Sequence, residues 1–325
     1  MFRPLLKKCV NDGRWLFVSC AAAMFAFCWL RVWIVSLLDT SRVEAILQLL
    51  PSEWQRFTPV DFDWLVTYAG RISLAYDELI VVGCIWVWAI ARGSDCVSGE
   101  ISRGTMEMLL AQPVSRLRLL LTQASVTVSG VALLSFTAWL GTYVGIQTTY
   151  AKEEVRPMWD LPIPLPWVGS EIPIPFSARE IHWAPLSDKV DAWLFLPASA
   201  NLFALGLMTA GFATLMSAWD RYRWRTIGIV MGVLVVQVLI KIAGLASDDL
   251  SWLLYLSVLT AYEPEAFVRI ADSVPGSAWN LFISNVDGTV DYGPLWYHSV
   301  MGTIGGASYL LAAIVFCRRD LPAPL

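Results

Sequence analysis

Four ionisable side chains stand inside long apolar runs: Arg31, Asp77, Glu78 and Lys241. A charge at membrane depth costs about 2.5–3.5 kcal/mol on insertion scales, so such residues mark a function or a built-in partner. Two readings suit them: a structural ion pair of Arg31 with Asp77 or Glu78, or contacts to a polar substrate. Other chemistry is hard to find. No G-x-x-x-x-G-K-[ST] loop is present to cradle nucleotide phosphates, and neither a G-x-S-x-G elbow nor an H-E-x-x-H pair occurs. The two histidines, His182 and His298, stand far apart without a Cys or His at metal-ligand spacing, and read as polar loop residues. The chain itself is therefore expected to be no enzyme and to hold no metal or cofactor.

The elements that position these residues follow from hydropathy. Of 325 residues, 57% are apolar and only 15% charged, with a mean hydropathy of +0.57. Soluble domains are nearer half apolar and one quarter charged, so the solvent for this chain is lipid. Six runs are long enough to cross a hydrocarbon core, which takes about 20 helical residues. They lie near 15–38, 72–91, 119–146, 193–218, 226–245 and 297–316. The predicted fold is an all-α membrane protein, a single transmembrane domain over 1–325, with outer loops at 39–71, 147–192 and 246–296.

Orientation comes from basic residues. The segments on the side of the termini carry thirteen Lys and Arg, against eight in the far longer opposite loops. The positive-inside rule then places both termini in the cytoplasm. The six cysteines fall in spans or on that side, so no disulfide framework is expected.

Smaller features complete the reading. Phe2, Leu5, Leu6 and Cys9 recur at helical spacing with Lys7 and Lys8 off that stripe, which predicts an interfacial helix before span 1. The stretch "PMWDLPIPLPWVGSEIPIPF" cannot be helical, because each Pro lacks a donor and restricts its predecessor. Leu250–Tyr262 is apolar but too short to span, as expected of a re-entrant hairpin before span 6. Three G-x-x-x-G spacings, Gly141/Gly145, Gly228/Gly232 and Gly302/Gly306, suit close helix packing, either within one subunit or between two.

The segment between spans 2 and 3 is the most patterned part of the chain. "GEISRGTMEMLLAQPVSR" (99–116) places Ile101, Thr105, Met108 and Leu109 near one helical face, with Met106 and Leu110 beside it. Arg103 and Glu107 are four apart and positioned to pair on the other side. Pro113 ends the helix, and Arg116 and Arg118 anchor span 3 at the headgroups. Such a helix either rests on lipid or passes a push from a soluble partner into the membrane.

Glu100, Gly104-Thr105, Leu109-Leu110, Pro113, Ser115 and Arg116 resemble the pattern after the second span of type-2 ATP-binding-cassette permeases. Six spans, a basic N-terminal helix, a hairpin before the last span and a "CRRDL" end are similar too. Where the family often has Lys shortly after Ser-Arg, this chain has Gln123. The resemblance implies the membrane subunit of an ATP-driven exporter, in the plasma membrane of a prokaryote. It also implies a permease dimer with two copies of a separate cytoplasmic ATPase, which would bind the ATP and magnesium. Glu100, Gly104, Thr105, Met106, Leu109, Leu110, Pro113 and Arg116 would then form the coupling helix that docks on that ATPase. Two other classes stay open: a secondary carrier, and a membrane-embedded enzyme or assembly factor. Membrane lipid is a partner in any case, and no basic surface points to nucleic acid.

Overall fold

The computed structural model describes residues 2–38, 62–111, 114–155, 158–165, 169–173, 180–274, 276–284 and 290–319. Among them, six helical segments are long and apolar enough to cross a membrane, so the chain is a mostly helical, multi-pass membrane protein. The first is α1, Phe2–Leu37. The second is a composite: α2 (Tyr68–Ser73), a tight turn to Tyr76, and α3 (Leu79–Ser94). A wide π-turn over Asp95–Gly99 and one further turn over Glu100–Ser102 end it. After the short α4 (Met106–Leu110) come α5 (Arg116–Thr148), α6 (Leu196–Trp219) and α7 (Arg223–Ala246). Helix α8 (Pro264–Ser273) precedes the last span, α9 (Pro294–Arg318).

The N-terminal amphipathic turns are a correction. They are not a separate interfacial helix but the start of α1, which runs unbroken for 36 residues. Its Pro4 lies in the first turn, where no donor is lost, and Gly13 leaves room for Trp88, whose ring would lie 3.1 Å from an added Cβ.

Helix α6 is the axis of the bundle, the most buried of the six, and its small residues let the others close on it. A Cβ on Gly211 would sit 2.4 Å from the carbonyl oxygen of Gly305 on α9, so this crossing is backbone against backbone. The G-x-x-x-G expectation divides accordingly. Gly141 and Gly145 pack against Phe25, Cys28 and Val32 of α1. At Gly302, Gly306, Gly228 and Gly232 an added Cβ would meet nothing.

At the end away from the termini, the proline-rich loop folds as antiparallel ribbons. Strand β1 (Tyr150–Val155) pairs with β4 (Glu180–Pro185), enclosing β2 (Met158–Leu165) paired with β3 (Gly169–Pro173). The β2–β3 register shifts between Asp160 and Leu165, where Pro162 and Pro164 have no N–H to donate. A third ribbon joins β5 (Phe282–Ser284) to β6 (Val290–Tyr292). The "AILQLLPSEW" stretch of the first outer loop lies outside the described residues.

The short apolar segment after α7 turns back along it. Asp248–Ala261 forms two tight 3₁₀ turns, and Leu254 fills the space left by Gly244. Gln237 Oε1 accepts the Val258 N–H at 2.9 Å, and its carbonyl accepts the Ser257 hydroxyl at 3.0 Å. These contacts bring the segment about 13 Å back from the end of α7, at 1.5 Å per helical residue.

Candidate functional site

The patterned segment is built from a helix stop. At Gly104 the backbone turns left-handed, with φ of 71°. The Gly104 N–H reaches the Ile101 carbonyl at 3.0 Å and the Thr105 N–H reaches the Glu100 carbonyl at 3.1 Å. This double closure is the Schellman stop, which wants glycine at that place because a Cβ there is strained. The expectation of one helical face from Ile101 to Leu110 is therefore overturned. Ile101 belongs to the end of span 2, and Met106–Leu110 is a separate helix in a new direction.

The reversal brings Thr105 onto Glu100, whose carboxylate accepts its hydroxyl. Glu100 is only 2% exposed. Its charge is met by Lys8 of α1, Nζ to Oε1 2.9 Å, and by Arg103 at 3.3 Å. The expected Arg103–Glu107 pair does not form. Arg103 turns the other way, to Asp95, at 2.6 and 3.3 Å. Asp95 also holds Arg223 of α7 at 3.3 Å and Arg92 at 3.9 Å. Two acids on one short stretch thus tie α1, span 2 and α7 together. The Asp95 hydrogen bonds raise the already high pKa of Arg103, so the guanidinium stays charged.

Burial sorts the remaining residues of the pattern. Met106 is 3% exposed and packs with Cys96, Val97, Leu119 and Phe316, while Leu109 and Leu110 are half-buried against the same cluster. Met108 is 66% exposed, with Glu107 exposed next to it. The most exposed apolar side chain of α4 is thus Met108, with the Leu pair only partly exposed. Pro113 lies outside the described residues. Ser115 caps α5, its hydroxyl accepting the Arg118 N–H at 3.3 Å. Arg116 donates to the carbonyls of Arg319 (2.6 Å) and Phe316 (3.4 Å), holding the end of α9.

Sequence reasoning missed Ser217. It is fully buried on α6, and its hydroxyl oxygen accepts the N–H groups of Val97 (3.1 Å) and Ser98 (2.9 Å). It also donates to the Ser94 carbonyl at 3.0 Å. A wide turn disturbs the regular ladder, and here a hydroxyl from the central helix inserts into it. The run of small residues in "GSDCVSG" was the available signal.

At the opposite end, span 2 breaks at Asp77–Glu78. Asp77 closes the turn after Tyr76 and Glu78 is extended, with its carbonyl starting α3. Arg31 meets Glu78 at 3.9 Å between partly exposed side chains, so of the two expected partners Glu78 is the one that it contacts. Asp77 instead lines a groove of about 620 Å³ between α3, α6 and α7, together with Trp86, Leu205, Leu234 and Lys241. Lys241 is not a free charge there: its ammonium donates to the carbonyls of Leu259 (3.1 Å) and Tyr262 (2.9 Å). The Tyr262 hydroxyl in turn donates to the Tyr76 carbonyl at 2.5 Å. Two acids stand beside this cluster, Glu265, which is buried, and Glu263, which is half-buried. Burial pushes both pKa values up, that of Glu265 to about 8, with the Asp77 charge adding to it. His298 is not in a loop but in the first turns of α9, edge-on to Phe267 at 5.2 Å.

Chemically, the groove offers an apolar trough with charge at one end, suited to an amphipathic molecule. Among the described residues, no group of three or more His, Cys, Asp and Glu is placed to hold a metal ion. No family model matches the chain, and no curated protein matches it.

Proposed function

We propose that the chain is the membrane-spanning permease subunit of an ATP-binding-cassette exporter, acting as a dimer with two copies of a separate cytoplasmic ATPase. The observation that carries this reading is the braced turn over Glu100–Leu110, a helix of five residues set against the bundle with Met108 outward. A mere linker needs no pair of carboxylates that together tie three elements. A transmission element does. In this reading both termini and α4 face the cytoplasm of a prokaryotic cell, and the ATPase binds ATP and magnesium.

A push on α4 is carried through Glu100–Lys8 to α1 and through Asp95–Arg223 to α7. Helix α7 forms one wall of the groove that holds Asp77, which is where an amphipathic cargo would lodge. The segment Asp248–Ala261 dips into the far leaflet as a re-entrant hairpin. A secondary carrier would carry broken spans and charges at the bilayer midplane; here the break at Asp77–Glu78 lies at the outer end of span 2.

The test is Met108→Asp, in a chain co-expressed with the ATPase encoded in its gene neighbourhood. Burying a Met side chain is worth about 1.5–3 kcal/mol, so the complex should weaken roughly ten- to a hundredfold. Expression and melting should not change, because the side chain is exposed. Undiminished co-purification and undiminished transport-stimulated ATP hydrolysis would reduce α4 to a linker.

A further inference from the structure

On the face of the bundle away from the cargo groove, α1 and α5 run side by side and parallel, Gly141 and Gly145 of α5 against Phe25, Cys28 and Val32 of α1. Toward the termini they part and leave a cleft of about 340 Å³. Its floor is the Trp88 indole, seated between Gly13 and Gly130. A Cβ on Gly130 would come within 2.2 Å of that ring, so the ring's position depends on glycine. Trp88 is 3% exposed, with its N–H spent on the Thr127 carbonyl at 3.0 Å and Phe17 edge-on at 5.4 Å. The walls are Leu6, Val10, Phe17 and Val18 on one side and Val126 and Leu133 on the other.

Along α1 the cleft extends from Leu6 to Val18, about 18 Å at 1.5 Å per residue. That is close to the depth of one leaflet, half of a hydrocarbon core of about 30 Å. Its charge is one-sided. Arg14 lines it, and Lys7 stands two turns earlier on the same side of α1. Ser125 is shared with a second hollow on α5 that contains Arg118. In the parallel register set by Gly145 against Val32, Arg118 falls at about the depth of Leu5, within one turn of Lys7. No carboxylate pairs with Lys7, Arg14 or Arg118 among the described residues, whereas Lys8 on the other side of α1 is taken by Glu100. Asp12, the one acid in this stretch of α1, does not line the cleft.

We propose that this cleft is a resident site for one anionic glycerophospholipid of the leaflet on the termini's side. One acyl chain lies over Trp88, and the phosphate is held by Lys7, Arg14 and Arg118. Basic pockets between spans at a membrane surface recognise lipid headgroups in this way, by apolar burial plus charge. The site is independent of the transport reading, since it needs only the membrane.

The test is native mass spectrometry of the full chain released from bilayers of equal phosphatidylglycerol and phosphatidylcholine with matched acyl chains. The wild type should retain one phosphatidylglycerol in preference to phosphatidylcholine. Lys7→Gln, Arg14→Gln and Arg118→Gln together should lower that preference about a hundredfold, roughly fivefold per cation. These three side chains are exposed, as is Ser129, so the fold should be untouched. Ser129→Trp, which fills the cleft without changing charge, should expel the retained lipid. Arg221→Gln with Arg225→Gln, around a different hollow at the same end, should leave it bound. Equal retention of the two lipids by the wild type overturns the proposal, and so does a preference that survives both the triple change and Ser129→Trp.

Discussion

Glu265 provides the sharpest test of the packing at the end away from the termini. Its side chain is 2% exposed and its Oε2 has no hydrogen-bond partner. Burial foremost, then the Asp77 and Glu263 charges, raise its pKa from 4.5 to about 8, against some relief from Lys241. An acid with a raised folded pKa binds its proton more tightly in the folded state, so stability is highest at low pH and falls as pH rises from 4.5 to about 8. Between about pH 6 and about pH 9 the loss integrates to roughly 2.5 kcal/mol. Glu265→Gln removes that titration. In detergent, the offset between variant and wild type should change steadily from about pH 6 to about pH 8 and level off above that. By about pH 9 the variant should gain roughly 5 °C on the wild type, taking about 2 °C per kcal/mol for a chain of this size. Melting temperatures that run parallel from the lower to the higher pH would refute the buried, protonated carboxyl.

Three further outcomes are expected. In a double-mutant cycle of Glu100→Gln with Lys8→Gln, the coupling energy should be about 1–2 kcal/mol, since Lys8 is partly exposed; zero coupling would mean that α1 is not braced by the turn. Gly104→Ala should destabilise by about 1–2 kcal/mol from backbone strain alone, and Gly104→Asn by less, measured by denaturant unfolding in detergent; equal stability of Gly104→Ala and wild type would contradict the left-handed turn. With Cys317 changed to Ser, an impermeant thiol reagent on intact cells should label Ser187→Cys and not Ser115→Cys, both exposed positions at opposite ends of the bundle. Equal labelling would contradict the assigned orientation.

Length and apolarity of the spans were legible because the hydrocarbon core demands about twenty apolar residues wherever it is crossed. The observed segments extend the expected ones by several residues, since helices continue past the apolar part. The pair at Arg31 was legible as opposite charges at similar depth, but the choice of Glu78 over Asp77 depends on the break between them, which no spacing rule shows. In the segment between spans 2 and 3, a 3.6-residue period was applied across Gly104. The left-handed turn resets that phase, so Met106 and the Leu pair are packed inward and Met108 is left outside. The Gly-x-x-x-Gly spacings misled in a different way. Close approach at α9 uses Gly305, a residue inside the expected motif but not one of its ends, because the partner surface is Gly211. Ser217 was invisible for a related reason: a serine among apolar residues has no pattern of its own, and its partners lie about 120 positions earlier in the chain.

The five-residue π-turn at Asp95–Gly99 has a consequence for angular phase. Each residue of an α-helix advances the side-chain direction by about 100°. A wide turn accommodates one residue more than the regular ladder, so everything after it is rotated by about that amount relative to an uninterrupted helix. The apolar half of span 2 and its charged end are thus set to different clocks. Trp88 and Ile85 face the bundle on one phase, while Glu100 finds Lys8 on another. Shortening the turn by a single residue would leave the composition of the span almost unchanged, yet it would swing Glu100 about a quarter-turn away from Lys8 and withdraw the N–H groups that Ser217 serves.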